Sequence, residues 1–506
     1  MSNARPTGDT ARRFLLAAVL AASPGVAAYG QAQHAPEAAP AAAADTRHLP
    51  ADATTHHTLE LPDRTLQFSA TAGAIRLADD KGAPRTDVAF IAYRLDGADP
   101  RSRPVTFAFN GGPGMASGWL HVGAVGPWRI GLGTDATIPS SSPEPLANAE
   151  TWLDFTDLVF IDPPGTGYSR ILAGGDDARR SLWSVDGDID ALAEVIRRWL
   201  DRNERSVSPK YLLGESYGGF RAPRLARALQ SHQGVGIAGM VLISPALEFG
   251  GGSRAFDPFR WVTRLPSMAA TSRAGQGRVT PEMLADVEQY ARTEYLVDLL
   301  RGERDDAAVA RMSERVAALT GLDPVLVARY GGRIDNDVFL HEAGRAEGRI
   351  ASVYDATITR ADPFPHEALS DFADPVLEGM KAPVSSAMVA LYTGRLHWYP
   401  ENPYELANDA ANRQWQWGRG RAGPESTSYL QAALALDPHM RVLIAHGMFD
   451  LITPYFATRL LLDQMPAFAG PDRVRFAIYP GGHMFYTDDA SRAALRDAAR
   501  AVIEPR

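Results

Sequence analysis

Tyr211-Leu212-Leu213-Gly214-Glu215-Ser216-Tyr217-Gly218-Gly219 is the stretch that decides the fold. A short apolar run ends in a serine with a glycine two places away on each side, and a helix-like segment follows with Leu225, Ala228 and Leu229 on one face. Strand, Gly-x-Ser-x-Gly, then helix reads as a nucleophile elbow, a turn too tight for side chains flanking the serine, which lifts the hydroxyl above a sheet. The bare motif is common by chance and an ordinary turn is its bland reading; the strand and helix around it carry the stronger one.

Working outward, other apolar runs end in polar or glycine-rich turns: Val105 to Phe109, Leu158 to Ile161, Met240 to Ile243, Val442 to Ala445 and Val474 to Ile478. Buried parallel strands have this pattern. Helical periodicity lies between several of them, with Ile189, Leu192, Val195, Ile196 and Trp199 on one face. The alternation predicts a doubly wound, mostly parallel α/β sheet. Residues 58 to 93 alternate instead, through Leu59, Leu61, Leu66, Phe68, Val88 and Phe90, and predict an antiparallel N-terminal meander. Residues 250–437 have helical periodicity and few strand-like runs, and are too long for a loop. A second independent domain is one reading; an inserted, mainly helical cap is the other, and is favoured because strands of the same kind resume afterwards. The expected division is 58–249 as the first part of the core, 250–437 as the cap and 438–506 as the second part.

A serine needs a base, and the base an acid to orient it. His483 follows the run Val474 to Ile478 through Tyr479-Pro480-Gly481-Gly482; Asp450 follows the run Val442 to Ala445 through Gly447. The order serine, acid, histidine suits an elbow on such a sheet. His446 competes as base, but it ends a strand four residues before Asp450 and reads better as a packing or hydrogen-bonding residue. The alternative for Asp450 is an N-cap for a helix starting near Pro454. Asn110-Gly111-Gly112-Pro113-Gly114 lets backbone NH groups point inward, and the oxyanion donors are assigned to the NH of Gly112 and of Tyr217. A phosphate cradle is disfavoured, because the loop lacks the closing Lys-Ser/Thr and Pro113 removes a donor.

Together these segments, with Asp162-Pro163-Pro164-Gly165-Thr166-Gly167-Tyr168-Ser169 and Gly481-Gly482-His483-Met484, resemble the serine carboxypeptidase family of α/β-hydrolases over about residues 105 to 485. The resemblance implies the α/β-hydrolase fold, the triad Ser216, Asp450 and His483, and an oxyanion hole at Gly112 and Tyr217. It further implies that Asn110 and Glu215 grip the terminal carboxylate of a peptide substrate, for which Glu215 must carry a proton; a structural role at the elbow is the other reading of Glu215. Four positions depart from the family: Ala124 stands where a second glutamate is common, Ala108 where an aromatic is, and Met115 and Thr453 where cysteines are. The missing glutamate puts strict removal of single C-terminal residues in question. Trp119, Trp128, His397-Trp398-Tyr399, Trp415 and Trp417 are read as packing residues before pocket residues.

The expected activity is hydrolysis of peptide bonds near a free C-terminus through an acyl-enzyme on Ser216. The alternatives are an esterase or acyltransferase of the same fold, and an exported binding protein without turnover. The expected partner is a peptide or small acyl substrate. A formal charge of -9 argues against nucleic acid, and no motif calls for a metal or other cofactor. Arg5, Arg12 and Arg13 precede the apolar run Phe14 to Ala28, so residues 1–32 are read as a signal peptide and the Ala/Pro-rich 33–57 as a flexible linker. The run, interrupted by Pro24, falls short of the roughly 20 residues of a membrane span. Export to the periplasm or medium, with no stable membrane span after cleavage, is the expectation. With 0 cysteines, no disulfide contributes to stability.

Overall fold

Alternate side chains of each central strand enter two different apolar layers: Leu213, Val241, Ile243, Leu443 and Ala445 pack into one, Leu212, Met240, Leu242, Val442 and Ile444 into the other. A strand apolar on both faces must lie inside a sheet covered on both sides. The computed structural model describes residues 48–131, 144–249, 256–367, 373–418, 423–467 and 473–504. The nine strands used below are β1 (Ala53–Glu60), β2 (Thr65–Ala78), β3 (Pro84–Leu95), β4 (Val105–Phe109), β5 (Asp157–Ile161), β6 (Lys210–Glu215), β7 (Gly239–Ile243), β8 (Arg441–Gly447) and β9 (Val474–Tyr479). Their spatial order is β1-β2-β3-β5-β4-β6-β7-β8-β9, with the short strand Arg170–Ile171 also paired to β3. Pairings from β1 through β5 along that order are antiparallel. From β5 onward they are parallel. This is the α/β-hydrolase arrangement expected from the sequence: an antiparallel meander leading into a doubly wound parallel sheet.

Five helices cover the sheet: α1 (Val185–Arg202), α2 (Tyr217–Ala228), α3 (Pro375–Ala390), α4 (Thr427–Leu436) and α5 (Asp489–Ile503). On one face lie Val376, Met380 and Val384 of α3 with Leu495, Ala499 and Val502 of α5. Against the other lie Leu192, Ile196 and Trp199 of α1, Leu225 of α2, and Leu430, Ala433 and Leu434 of α4. Helix α1 begins where the Ser184 hydroxyl accepts from the Gly187 NH at 3.0 Å, satisfying a donor its first turn leaves open.

Two boundaries differ from the expectation. The linker read as 33–57 overlaps β1, which starts at Ala53 and pairs with β2 from Ala53↔Ala72 onward. Its Ala-Thr-Thr-His-His opening lies on an edge strand with one face open, so it lacks the apolar alternation that marks a strand in sequence. Residues 1–47, holding the signal-peptide reading and most of the linker, lie outside the described residues. The insertion read as 250–437 is mainly helical, but not one block. Helices between Phe259 and Glu342 enclose a separate apolar cluster of Leu265, Met268, Val287, Met312, Val316 and Phe339, shared with Phe449, Leu451 and Tyr455 after β8. Helices α3 and α4 instead belong to the layers on the sheet. Ala42–Arg506 forms one compact unit.

Burying a leucine side chain contributes about 1.5–3 kcal/mol, and truncating one leaves a cavity as well. Leu430 is 0% exposed. Leu430→Ala is expected to lower unfolding stability by about 2–5 kcal/mol in urea denaturation. A loss of only a few tenths would mean that α4 does not form part of the sheet layer.

Candidate active site

Strand β6 delivers Ser216 into the turn before α2 with φ 60° and ψ −122°, a conformation a non-glycine residue adopts at a cost of about 1–3 kcal/mol. The glycines around it are enforced by contact. A Cβ on Gly214 would stand 2.1 Å from the Gly218 carbonyl oxygen, and one on Gly218 would stand 2.7 Å from that of Phe109. The turn is fixed to its neighbour by the Ser216 NH donating to Ile243 O at 2.9 Å. The Ser216 side chain makes no capping hydrogen bond to α2.

The ends of β8 and β9 bring the acid and base together. His483 Nδ1 lies 2.7 Å from Asp450 Oδ2, and both residues are buried. The other carboxylate oxygen accepts from the NH groups of Ile452 and Thr453 at 2.8 and 2.9 Å, so Asp450 also shapes the turn before the helix Tyr455–Gln464, whose N-cap is Pro454. Burial by itself raises the Asp450 pKa; the His483 charge and the hydrogen bonds from His483 and Thr453 outweigh it and hold the carboxyl below its ordinary value. For His483 burial works downward, and Asp450, with a smaller contribution from Glu215, outweighs it and raises the imidazole above its ordinary value. His446 is fully buried near Phe476, its pKa pushed down to about 4 by burial. The carboxylate pairs with His483, not with His446.

Among the described residues no hydrogen bond joins the Ser216 hydroxyl to His483. Their strands are linked through Ser244, whose hydroxyl donates to His483 O at 2.7 Å and whose own carbonyl accepts from Thr453 Oγ1 at 3.0 Å. Looser nucleophile–base geometry is common before substrate binds.

The Asn110 to Gly114 loop lies directly on the elbow: a Cβ on Gly111 would come within 2.4 Å of the Tyr217 backbone nitrogen. Gly112 holds φ +100°, where a side chain would be strained. Arg221 Nη1 donates to Asn110 O at 2.6 Å while its Nε donates to Asp188 at 2.6 Å, a fully buried ion pair tying α2, α1 and the loop together. Glu215, buried at the root of the elbow, accepts on Oε2 from Asn110 Nδ2 at 3.0 Å and from Tyr486 Oη at 2.8 Å. Burial, partly offset by His483 and these two bonds, pushes its pKa up to about 7.

Several contributors carry no motif. The cap segment Ser352 to Ala356 runs along the loops of both acid and base: His483 N donates to Tyr354 O at 2.5 Å, Leu451 N to Val353 O at 3.1 Å and Ala356 N to Phe449 O at 3.1 Å. Tyr354 sets its ring edge-on to His483 at 5.4 Å, and with Asp355, Ile358, Val376 and Met484 it lines a small cleft at this loop. A larger groove of about 800 Å³ lies between cap helices near Tyr290, Asp298 and Arg311 and shares no lining residue with the site. Thr453 Oγ1, at a family cysteine position, donates to Asp450 Oδ2 at 2.7 Å and lies 3.0 Å from His483 Nδ1. Asn408 N and Asn412 Nδ2 donate to Gly114 O and Pro113 O and hold the glycine-rich loop from outside. Trp119, Trp128, Trp398 and Trp415 are buried, whereas Trp417, 37% exposed, meets the Tyr217 ring edge-on at 5.8 Å. Among the described residues no cluster of three or more His, Cys, Asp or Glu side chains suits a metal ion.

Sheet order, elbow and covering layers define the α/β-hydrolase fold. The structure of Kex1(delta)p, a prohormone-processing carboxypeptidase from Saccharomyces cerevisiae, superposes over 87% of this chain and 90% of that one with a TM-score of 0.51 and 15% identity, a likeness of fold. Residues 81–261 match the family model described as serine carboxypeptidase. The pheromone-processing carboxypeptidase KEX1 of Yarrowia lipolytica is 32% identical over 142 residues, covering 28% of this chain and 21% of that protein. Serine carboxypeptidase-like 41 of Arabidopsis thaliana is 29% identical over 175 residues, 32% of this chain and 34% of that one. The matched part thus spans about a fifth to a third of these curated relatives. Over residues 81–261 this chain is thus similar to the serine carboxypeptidase family.

The Asp450 charge is what keeps the buried imidazole of His483 basic. Asp450→Asn is therefore expected to lower the His483 pKa, read by NMR titration of its ring protons. An unchanged or higher value would contradict the pairing.

Proposed function

We propose that the protein is a serine carboxypeptidase, hydrolysing peptide bonds near a free C-terminus through an acyl-enzyme on Ser216. The observation that carries this reading is the buried Asp450–His483 pair at the same sheet rim as the strained Ser216 turn. In the proposed sequence, His483 Nε2 takes the Ser216 proton as Oγ attacks the scissile carbonyl, while Asp450 holds Nδ1–H and stabilises the imidazolium that forms. The tetrahedral oxyanion is met by the NH groups of Gly112 and Tyr217. Collapse breaks the C–N bond, His483 returns the proton to the leaving amine, and water, activated by the same imidazole, releases the acid and frees Ser216.

Recognition of the leaving residue's carboxylate is assigned to Asn110 and Glu215. A protonated Glu215 donates to a carboxylate; an ionised one repels it. Ala124, fully buried and without a carboxyl, favours a second reading, an esterase or acyltransferase that does not grip a terminal carboxylate. An N-blocked dipeptide and its C-terminal amide distinguish the two, with faster cleavage of the free acid expected. Export is a further part of the proposal, resting on the Arg12-Arg13 and Phe14 to Ala28 pattern. Cell fractionation tests it.

Because triad members act as a unit, Ser216→Ala is expected to lower turnover by roughly 10⁴- to 10⁶-fold with folding preserved. A loss under about ten-fold would remove Ser216 as nucleophile. The pH dependence follows from two groups. His483 must be neutral to accept the proton, so activity rises with pH through its raised pKa; Glu215 must be protonated, so kcat/KM for free-acid peptides falls as pH passes about 7. An ester substrate without a free carboxylate is expected to keep the rising limb and lose the falling one. The same falling limb on both substrates would detach Glu215 from carboxylate recognition.

A further inference from the structure

The family's second glutamate is missing at Ala124, yet Asn110 is not the sole partner of Glu215. Tyr486 lies in the short 3-10 turn Phe485–Thr487, just beyond His483, and its hydroxyl donates to Glu215 Oε2 at 2.8 Å. The ring is 1% exposed. A Cβ added to Gly123 would approach its Cε2 to 3.3 Å, so the ring lies against the turn His121–Val125 that contains Ala124. The turn that carries Ala124 therefore packs on the residue that hydrogen-bonds Glu215, and that bond comes from far along the chain.

We infer that Tyr486 is a positioning residue standing in for the absent carboxyl at position 124: it holds Glu215 by Oε2 and leaves Oε1 to carry the proton offered to a substrate's terminal carboxylate. This rests on the carboxylate-recognition reading above. Two carboxyls side by side hold a shared proton and repel once both ionise. A phenol brings its own proton, and burial beside Glu215 pushes its pKa well above the ordinary value, so it remains a donor wherever Glu215 titrates. Both known bonds to Glu215, from Asn110 and Tyr486, end on Oε2. The other groups facing this carboxyl are the His483 imidazole and the Asp450 carboxylate from the ends of β9 and β8, and the Tyr354 phenol from the cap segment. None of these places a hydroxyl on Oε2.

Donation from Tyr486 favours the ionised form of Glu215, so its removal keeps Glu215 protonated to higher pH. The substitution Tyr486→Phe retains the ring against Gly123 and deletes only the donor. Kinetics of the wild type and this variant are measured from pH 4 to 9 on an N-blocked dipeptide and its C-terminal amide, with circular dichroism confirming the folded fraction. The variant is expected to shift the falling limb for the free acid upward by about one pH unit. Its preference for free acid over amide is expected to fall on the order of ten-fold, mainly through KM. Wild-type preference with an unmoved limb in the variant would overturn the role of Tyr486 and leave carboxylate recognition standing. Equal turnover of acid and amide by the wild type would overturn carboxylate recognition and this role with it.

Discussion

The 2.7 Å contact between His483 Nδ1 and Asp450 Oδ2 is the constraint on which the site depends. It joins the loops leaving β8 and β9, and the neighbouring strands are fastened in turn. Thr453 donates to Ser244 O, Ser244 donates to His483 O, and Ser216 N donates to Ile243 O. Four consecutive strand ends are thereby held in one arrangement. Ser216 and Ser244, each in this chain of contacts, hold positive φ, and such strain of about 1–3 kcal/mol apiece persists where surroundings over-determine the backbone.

Electrostatics follows from that packing. Three ionisable groups, Glu215, Asp450 and His483, are buried within one another's fields, and burial alone would neutralise all of them. Asp450 escapes neutralisation because both of its oxygens accept hydrogen bonds and the imidazole is adjacent. Glu215 is offset less completely and titrates near neutral pH. Two carboxyls in the field of the same histidine are thus pushed in opposite directions.

Much of this was legible in the sequence, because the elbow, the two strand ends and the glycine-rich loop each announce themselves within a few consecutive residues. The same locality explains what was not. Strand β1 opens with polar residues on an exposed edge, and α4 reads as part of a helical insertion until its Leu430, Ala433 and Leu434 are seen against the sheet. Tyr354, Thr453, Asn408 and Tyr486 act through contacts that the fold alone creates. No spacing distinguishes a tyrosine that reaches Glu215 from one that fills a core, whereas the departure at Thr453 did mark a position where the structure supplies a hydroxyl to Asp450.

The central claim is that folding makes one serine nucleophilic by assembling Asp450 and His483 beside it. Treatment of the folded protein with a fluorophosphonate, followed by peptide mapping, tests this most directly. The account predicts a single adduct on Ser216 that is lost on unfolding and in His483→Ala. Labelling at another residue, or an adduct on Ser216 that forms equally well without His483, would contradict it.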